Sequence, residues 1–223
     1  MLHYWQRELE NLKKLILSLG ALVEEQIQKS ILSLTRRDAD LAEEVIRRDT
    51  EIDSLEIVIE EECLKILALY QPVAKELRFV VTVLKMNNDL ERMGDLASNI
   101  AKRARYLSNK EKIDLISDFV NLAEKTQVMV KKSLDALINT DVKMAKEVCE
   151  ADDEVDDLTK DLVKKTIKEI EKNPKRTEDY FNIRSISKNL ERIADSATNI
   201  AEDVVYLCSG EIIRHHADEF HPE

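Results

Sequence analysis

The chain has 223 residues, of which 43% are hydrophobic and 35% charged, and only three Gly and three Pro occur in the whole length. So few turn-forming residues exclude a β-rich fold and favour long amphipathic helices. The net charge of −11 and the lack of any basic block argue against direct binding of nucleic acid.

The first three helices are predicted from apolar spacing and turn residues. The first runs from about Trp5 to Leu34, where apolar residues recur at near-heptad spacing. Asp38 is expected to cap the second, which continues to a break at residues 70–72. Pro72 suits the first turn of the third helix, which ends near Leu107.

Three more helices follow the same rules. The fourth is expected from about Ile113 to Ile138, and residues 139–141, Asn-Thr-Asp, supply a turn and the next cap. The fifth ends at Asn-Pro, residues 173–174, and Thr177 is expected to cap the sixth. Gly210 is a natural stop for that last helix.

The cysteines and the N-terminal residues indicate a cellular setting. Cys63, Cys149 and Cys208 are odd in number and far apart, which fits a reducing cytoplasm better than a disulfide framework. The charged start lacks the apolar core of a signal peptide. The uncharged run from Leu15 to Val23 is too short to cross a bilayer. We therefore expect a cytoplasmic protein that reaches a membrane only through its partners.

An internal repeat is the most informative feature of the sequence. Residues 90–101, LERMGDLASNIA, recur at 190–201 as LERIADSATNIA, and residues 49–55 recur at 152–158. Two motifs in the same order indicate a duplicated unit. Because each unit holds three predicted helices, the fold is expected to be all-α, with two tandem three-helix bundles related by a pseudo-twofold axis.

The repeat divides the chain into three parts. Residues 1–109 form the first three-helix unit and residues 110–210 the second. Residues 211–223 form an acidic tail that contains His215, His216 and His221. A metal-binding role for these histidines is a weak alternative to an ordinary mobile terminus.

The third helix of each unit carries acidic residues beside its apolar seam. They stand four apart, so they share one face of the helix, one turn from each other. The set is Glu91, Asp95 and Asn99 in the first unit and Glu191, Asp195 and Asn199 in the second. Each of these helices therefore presents two carboxylates and an amide at the edge of its seam.

The second helix of each unit carries a similar pair. Asp49 and Asp53 recur as Asp152 and Asp156, again four residues apart. Like charges at this spacing destabilise a helix, so a compensating positive charge is expected. If the second and third helices of a unit are neighbours, four carboxylates converge, which is a ligand set that hard cations favour.

Simpler explanations remain open at this point. Acidic pairs in a highly charged chain can be solvated, or Arg92 and Arg192 can neutralise them as ordinary ion pairs. Asn99 and Asn199 are better suited to hydrogen bonds that support a ligand, or that join two helices, than to binding metal directly. No sequence pattern of a nucleophilic enzyme or a phosphate-binding loop is present.

Several of these segments closely resemble the PhoU family of phosphate-uptake regulators. In the first unit they are residues 71–78, QPVAKELR, residues 90–95, LERMGD, and residues 99–101, NIA. The second unit matches through residues 189–195 and 198–202. The resemblance covers all but about the last dozen residues. The QPVAKELR segment has no counterpart in the second unit, so the two units need not contact partners in the same way.

The resemblance implies a regulatory role. PhoU-like proteins are accessory regulators of the phosphate-specific ABC transporter, thought to contact its ATPase subunit and the sensor histidine kinase of the phosphate two-component system. They restrain uptake and keep the phosphate-starvation regulon off when phosphate is plentiful. A homodimer that acts without enzymatic turnover is therefore expected.

The resemblance also implies a cofactor. Some PhoU-like proteins bind multinuclear iron or zinc clusters, and such carboxylate sets also suit Mg²⁺ or Mn²⁺. The motif pairs here are Asp49 with Asp53, Glu91 with Asp95, Asp152 with Asp156, and Glu191 with Asp195. Gly94 of the first copy is Ala194 in the second, where a more rigid helix rather than a lost site is expected.

Three hypotheses follow. The first is a metal-binding signalling adaptor that contacts the transporter and the kinase. The second is a metal-free helical scaffold whose acidic pairs are solvated. The third is a hydrolase or redox enzyme that uses the carboxylates and a metal.

Overall fold

Six long helices make up the described part of the protein. The computed structural model describes residues 2–113 and 116–210, so the predicted tail with its three histidines lies outside the described residues. The helices are α1 (Leu2–Arg36), α2 (Ala39–Tyr70), α3 (Ala74–Ser108), α4 (Ile116–Asn139), α5 (Val142–Lys172) and α6 (Thr177–Ser209). The predicted all-α fold is confirmed. None of the described helices has a stretch apolar enough to pass through a bilayer.

The predicted helix ends are largely those observed. The carboxylate of Asp38 accepts a hydrogen bond from the backbone N–H of Leu41 at 2.9 Å, which caps α2. Asp141 caps α5 in the same way through the N–H of Met144 at 3.0 Å. Gly210, with φ of 78°, ends α6 in the left-handed conformation that glycine adopts without strain.

Two predicted helix starts are wrong. Pro72 is not in the first turn of α3, because Gln71 already adopts a left-handed conformation and Val73 is extended, so the helix begins only at Ala74. Thr177 does not cap α6 but is its first residue. Its hydroxyl donates to the carbonyl of Pro174 at 2.7 Å, in the short 3-10 turn that precedes the helix.

The two three-helix bundles lie side by side. Within each bundle all three helices contact one another, and the bundles meet chiefly along α3 and α6, with a smaller contact between α1 and α4. The helices α2 and α5 lie at opposite outer edges. One continuous hydrophobic cluster runs through both bundles, and a small separate cluster of Ala42, Val45 and Ala101 lies between α2 and α3.

The helices α3 and α6 are antiparallel. Near the start of α3, the amine of Lys85 lies 3.4 Å from the carboxylate of Asp203, late in α6. Near its end, the guanidinium of Arg103 donates to the side-chain oxygen of Asn182, early in α6, at 3.1 Å. These contacts place the crossing close to Gly94 and Ala194, so the repeated motif of one bundle faces that of the other across the pseudo-twofold axis.

One of the two differences inside the repeated Leu-Glu-Arg-x-x-Asp motif, Gly94 against Ala194, has a packing reason. A Cβ atom at Gly94 would come within 2.8 Å of Cδ1 and 3.1 Å of Cγ2 of Ile52 on α2. In the second bundle, the corresponding positions hold Ala194 and the smaller Val155, both buried. The first bundle thus pairs the smaller glycine with the larger isoleucine, and the second pairs alanine with the smaller valine. Both pairs allow the two helices to approach closely.

We expect Gly94→Ala and Ile52→Val to be coupled. The first should destabilise by about 1–2 kcal/mol, because overpacking outweighs the helix propensity of alanine. The second should lose about 1 kcal/mol by creating a small cavity. The double variant should lose at least ~1 kcal/mol less than the sum, measured by denaturant unfolding as a double-mutant cycle. Additive losses would contradict this packing account.

Candidate metal centre

Four carboxylates gather where α2 packs against α3. Asp49 and Asp53 come from α2, and Glu91 and Asp95 from α3; we call these four the first cluster. Burial raises the pKa of Glu91, and the nearby charges of Asp95, Asp53 and Asp49 raise it further. The pKa of Asp49 is also raised, by burial first and then by Asp95 and Asp53. The side chains are therefore close enough to repel one another.

The same arrangement occurs where α5 packs against α6. Asp152 and Asp156 come from α5, and Glu191 and Asp195 from α6; these four are the second cluster. Partial desolvation at the edge of the helix interface, and then the charges of Asp152, Glu191 and Asp156, raise the pKa of Asp195 to about 6, although the side chain still reaches solvent. The structure thus brings together all eight carboxylates in two groups of four, one group in each bundle.

Each cluster includes a hydroxyl group that was missed in the sequence. The hydroxyl of Thr198 donates to the carboxylate of Asp152 at 3.3 Å. Ser98, at the matching position of α3, is buried beside Asp49 and lowers the pKa of that residue. Yet the Ser98 oxygen lacks a well-formed hydrogen bond within the described part of the chain. The repeat carried this signal, since a hydroxyl recurs 100 residues apart, just before Asn99 and Asn199.

The first cluster has a fifth carboxylate next to it. The amide of Asn87 on α3 donates to both the main-chain oxygen of Glu56, at 2.9 Å, and its carboxylate, at 3.0 Å. Burial, Glu60 and Asp53 raise the pKa of Glu56. Thr159 takes the corresponding place on α5, so only the first bundle has this extra acid. Sequence reasoning missed Glu56 because it lies outside the four-residue spacing of the repeated pairs.

Lysines partly neutralise the second cluster. The amine of Lys188 lies 2.5 Å from the carboxylate of Glu191, and that of Lys160 lies 3.5 Å from Asp156. The matching positions in the first bundle hold Asn88 and Ile57, neither of which carries a charge. The first cluster therefore does not have these two lysine pairs, and Lys102 instead lowers the pKa of Asp49 there.

The remaining predicted residues lie around the clusters and between the bundles. Arg92 of α3 lowers the pKa of Asp195 on α6, so it acts across the pseudo-twofold axis on the other bundle. The amide of Asn199 donates to Asp89 of α3 at 3.2 Å and thereby joins two helices. Arg192 and Asn99 are both exposed to solvent.

The donor set suits a hard cation in its chemistry. Every donor is an oxygen, and a positive ion would relieve the repulsion that raises the pKa of Glu91 and of Asp195. The buried side-chain oxygen of Ser98 is a further possible metal ligand, since it makes no well-formed hydrogen bond within residues 2–113 and 116–210. In those same residues, no three Asp, Glu, His or Cys side chains are already positioned around one point. Binding would therefore require the carboxylates to rotate inward.

Comparison with known proteins identifies close relatives. The model of a family described as the PhoU domain matches residues 16–104 and again 119–204. The chain is 38% identical over 209 residues to a protein from Aquifex aeolicus named phosphate-specific transport system accessory protein PhoU homolog, with 94% of this chain and 95% of the relative covered. A relative of the same name from Clostridium acetobutylicum is 33% identical over 207 residues, which is 92% of this chain and 94% of the relative.

Solved structures give the same result. The crystal structure of PhoU from Pseudomonas aeruginosa superimposes with a TM-score of 0.91 at 35% identity and covers 93% of this chain and 100% of that one. That of the phosphate transport system regulatory protein PhoU from Streptococcus pneumoniae gives a TM-score of 0.86 at 30% identity and covers 93% and 98%.

Asp195 should make stability depend on pH. Its folded pKa of about 6 exceeds the ordinary value of 3.8, so the folded state binds the proton more tightly. Stability should then fall as pH rises from about 4 to 6 and stay lower above that range. Because Asp195 is exposed and screened, Asp195→Asn should raise Tm of chelator-treated protein near pH 7.5 by only about 2–4 °C, or ~1 kcal/mol or less.

The gain should vanish near pH 4, where the native carboxyl is itself protonated. Asp161→Asn is the matched control, since this α5 carboxylate is exposed and pairs with Lys164 at 3.2 Å. Thermal unfolding of both variants at the two pH values checks the expectation. An Asp195→Asn protein that is less stable than wild type near pH 7.5 would show that the charge is favourable where it stands.

Proposed function

The chain belongs to the PhoU family, and we propose that it is an accessory regulator of phosphate uptake and phosphate signalling. The observation that carries this proposal is the naming of relatives that match over more than nine-tenths of both chains as accessory proteins of a phosphate-specific transport system. Those names describe accessory and regulatory proteins, so a role without enzymatic turnover is proposed with it.

The regulation would work through binding. In the cytoplasm, a homodimer of this chain would contact the ATPase subunit of a phosphate ABC transporter and the sensor histidine kinase of a phosphate two-component system. When phosphate is abundant, binding favours the inactive state of each partner, which restrains uptake and keeps the phosphate-starvation regulon off. A binding protein shifts such an equilibrium only by as much as its affinities for the two states differ.

Metal ions would be held by the two clusters. In the first, Asp49, Asp53, Glu91 and Asp95 supply the carboxylates; in the second, Asp152, Asp156, Glu191 and Asp195 do so. Iron or zinc in a multinuclear cluster is the proposed occupant, and Mg²⁺ or Mn²⁺ suits the same oxygens. When bound, the metal supplies positive charge that holds α2 against α3 and α5 against α6, while Ser98 and Thr198 orient the nearest carboxylates.

The first cluster is proposed to bind metal more tightly. It has the additional acid Glu56 beside it, and Asn88 and Ile57 stand where lysines compete for the carboxylates of the second cluster. A cation entering the second cluster must instead displace Lys160 and Lys188 or share the carboxylates with them. The two bundles would therefore load one after the other.

Elemental analysis tests the metal sites. After chelation and reconstitution with iron or zinc, wild type should retain metal, and Asp95→Asn should bind it roughly ten- to a hundredfold more weakly at the first cluster. Asp195→Asn should affect only the second, weaker step. Glu171→Gln is the control, because Glu171 is an exposed acid that lies far in sequence from the residues of both clusters. A metal-to-protein ratio near zero in reconstituted wild type would support the metal-free scaffold instead.

A binding experiment tests the regulatory role. Purified protein immobilised in phosphate-rich buffer should retain the cognate transporter ATPase subunit, and the same resin without this chain should not. In cells, deletion of the gene should switch on a phosphate-starvation promoter even in phosphate-rich medium, because the restraint is lost. No retention of the ATPase subunit, together with an unchanged promoter, would count against the proposed function.

A further inference from the structure

Exposed apolar side chains are concentrated in one segment of the chain, from α2 to the start of α3. Of the ten exposed large apolar side chains among the described residues, six lie between residues 57 and 77. They are Ile57, Val58, Leu64, Leu69, Val73 and Leu77. Ile57 and Leu64 are each 53% exposed, and Leu69 is 67% exposed. Such a concentration on a soluble helical protein is typical of a contact surface.

Acidic residues lie among these apolar side chains. Ile57, Glu61 and Leu64 share one strip of α2, since they stand four and three residues apart. Glu60 borders that strip. Within the described ranges, no ion pair joins Glu60 or Glu61 to a basic side chain, whereas nearby Lys65 is engaged by Glu62 at 2.9 Å. We call the exposed side chains of residues 57–69 the α2 outer face. This face is apolar and anionic.

The second bundle provides an internal comparison. The repeat aligns Ile57 with Lys160, Glu61 with Lys164, and Leu64 with Ile167. Residues 160–172 of α5 match this face. Among the described residues, Ile167 is the only exposed large apolar side chain in that range. The same fold thus accepts lysine at these positions. Packing within the bundle therefore does not require the apolar and acidic residues of α2.

We propose that the α2 outer face docks a segment of a partner protein that presents apolar side chains flanked by lysine or arginine. This inference rests on the proposed function, because it names the surface through which a component of the transporter or kinase system is bound. The apolar strip would provide burial, and Glu60 and Glu61 would select a basic partner and orient it. Docking would also lie next to the first cluster, since Glu60 acts on Glu56.

Other occupants fit the charges or the symmetry less well. An anionic membrane surface would be repelled by Glu60, Glu61 and the net charge of −11. A second copy that packs α2 against α2 would bring two faces of the same negative charge together, each carrying Glu60 and Glu61. Packing α2 against the lysines of α5 joins opposite edges of the molecule, which gives an open chain rather than a closed dimer. A basic segment of a different protein meets neither obstacle.

The test places lysines on the α2 outer face at positions away from Asp53, so that the first cluster is not given a competing cation. Glu61→Lys/Leu64→Lys is compared with Val128→Lys/Glu124→Lys, which makes the same charge change on one exposed acid and one exposed apolar residue of α4. The probes are the purified ATPase subunit, the purified sensor kinase, and a synthetic helical peptide of leucine and lysine, with a leucine–glutamate peptide as control. Binding is followed by fluorescence anisotropy, and folding is checked by thermal unfolding.

We expect wild type and the α4 variant to bind the leucine–lysine peptide and at least one protein probe equally, and the α2 variant to bind at least tenfold more weakly. Equal binding of a protein probe by wild type and the α2 variant overturns the docking face and leaves the proposed function intact. Peptide binding lost only in the α2 variant, without binding of either protein, supports the face and contradicts the proposed function.

Two further outcomes overturn the inference. Wild type that binds none of the three probes leaves the α2 outer face without the partner chemistry assigned to it. A wild-type dimer that the α2 substitutions convert to a monomer, measured by light scattering, would make a second copy of this chain the occupant.

Discussion

Mutual repulsion among carboxylates held on neighbouring helix faces is the constraint on which both candidate metal sites depend. Asp95 directly follows the buried Gly94, and Asp195 directly follows the buried Ala194. Helix packing therefore fixes the backbone positions of both carboxylates. Burial and neighbouring acids then raise the pKa of Glu91 and of Asp195. Because proteins are only marginally stable, a repulsion that occurs in both bundles is a measurable cost to the folded state. A cation is the simplest means of relieving it.

The two bundles share one plan but differ in chemistry. Lys160 and Lys188 pair with carboxylates of the second cluster, while the first cluster is bordered by Glu56 and by the apolar Ile57. The first bundle has Ile57 where the second has Lys160. The first cluster therefore has no competing lysine at this position, and an apolar side chain is exposed there instead. The first bundle thus has the residues on which both proposals rest, and the second bundle shows the same fold with different side chains.

Much of the fold was predictable because local signals determine it. The caps at Asp38 and Asp141 and the stop at Gly210 depend on residues within one helical turn. The convergence of the acidic pairs followed from spacing, given that α2 and α3 are neighbours. The side-by-side placement of the bundles was not predictable, because it depends on packing between α3 and α6. For the same reason, the effect of Arg92 on Asp195 could not be read from the sequence.

The most direct test of this account is the melting temperature of chelator-treated protein as a function of added cation. If the clusters are relieved by bound metal, Tm should rise along a saturable curve at cation concentrations far too low to change ionic strength, by an amount set by mass action. Sodium chloride should act only gradually, by screening. A Tm that responds to salt but to none of iron, zinc, magnesium or manganese would contradict the claim that the carboxylate clusters hold metal.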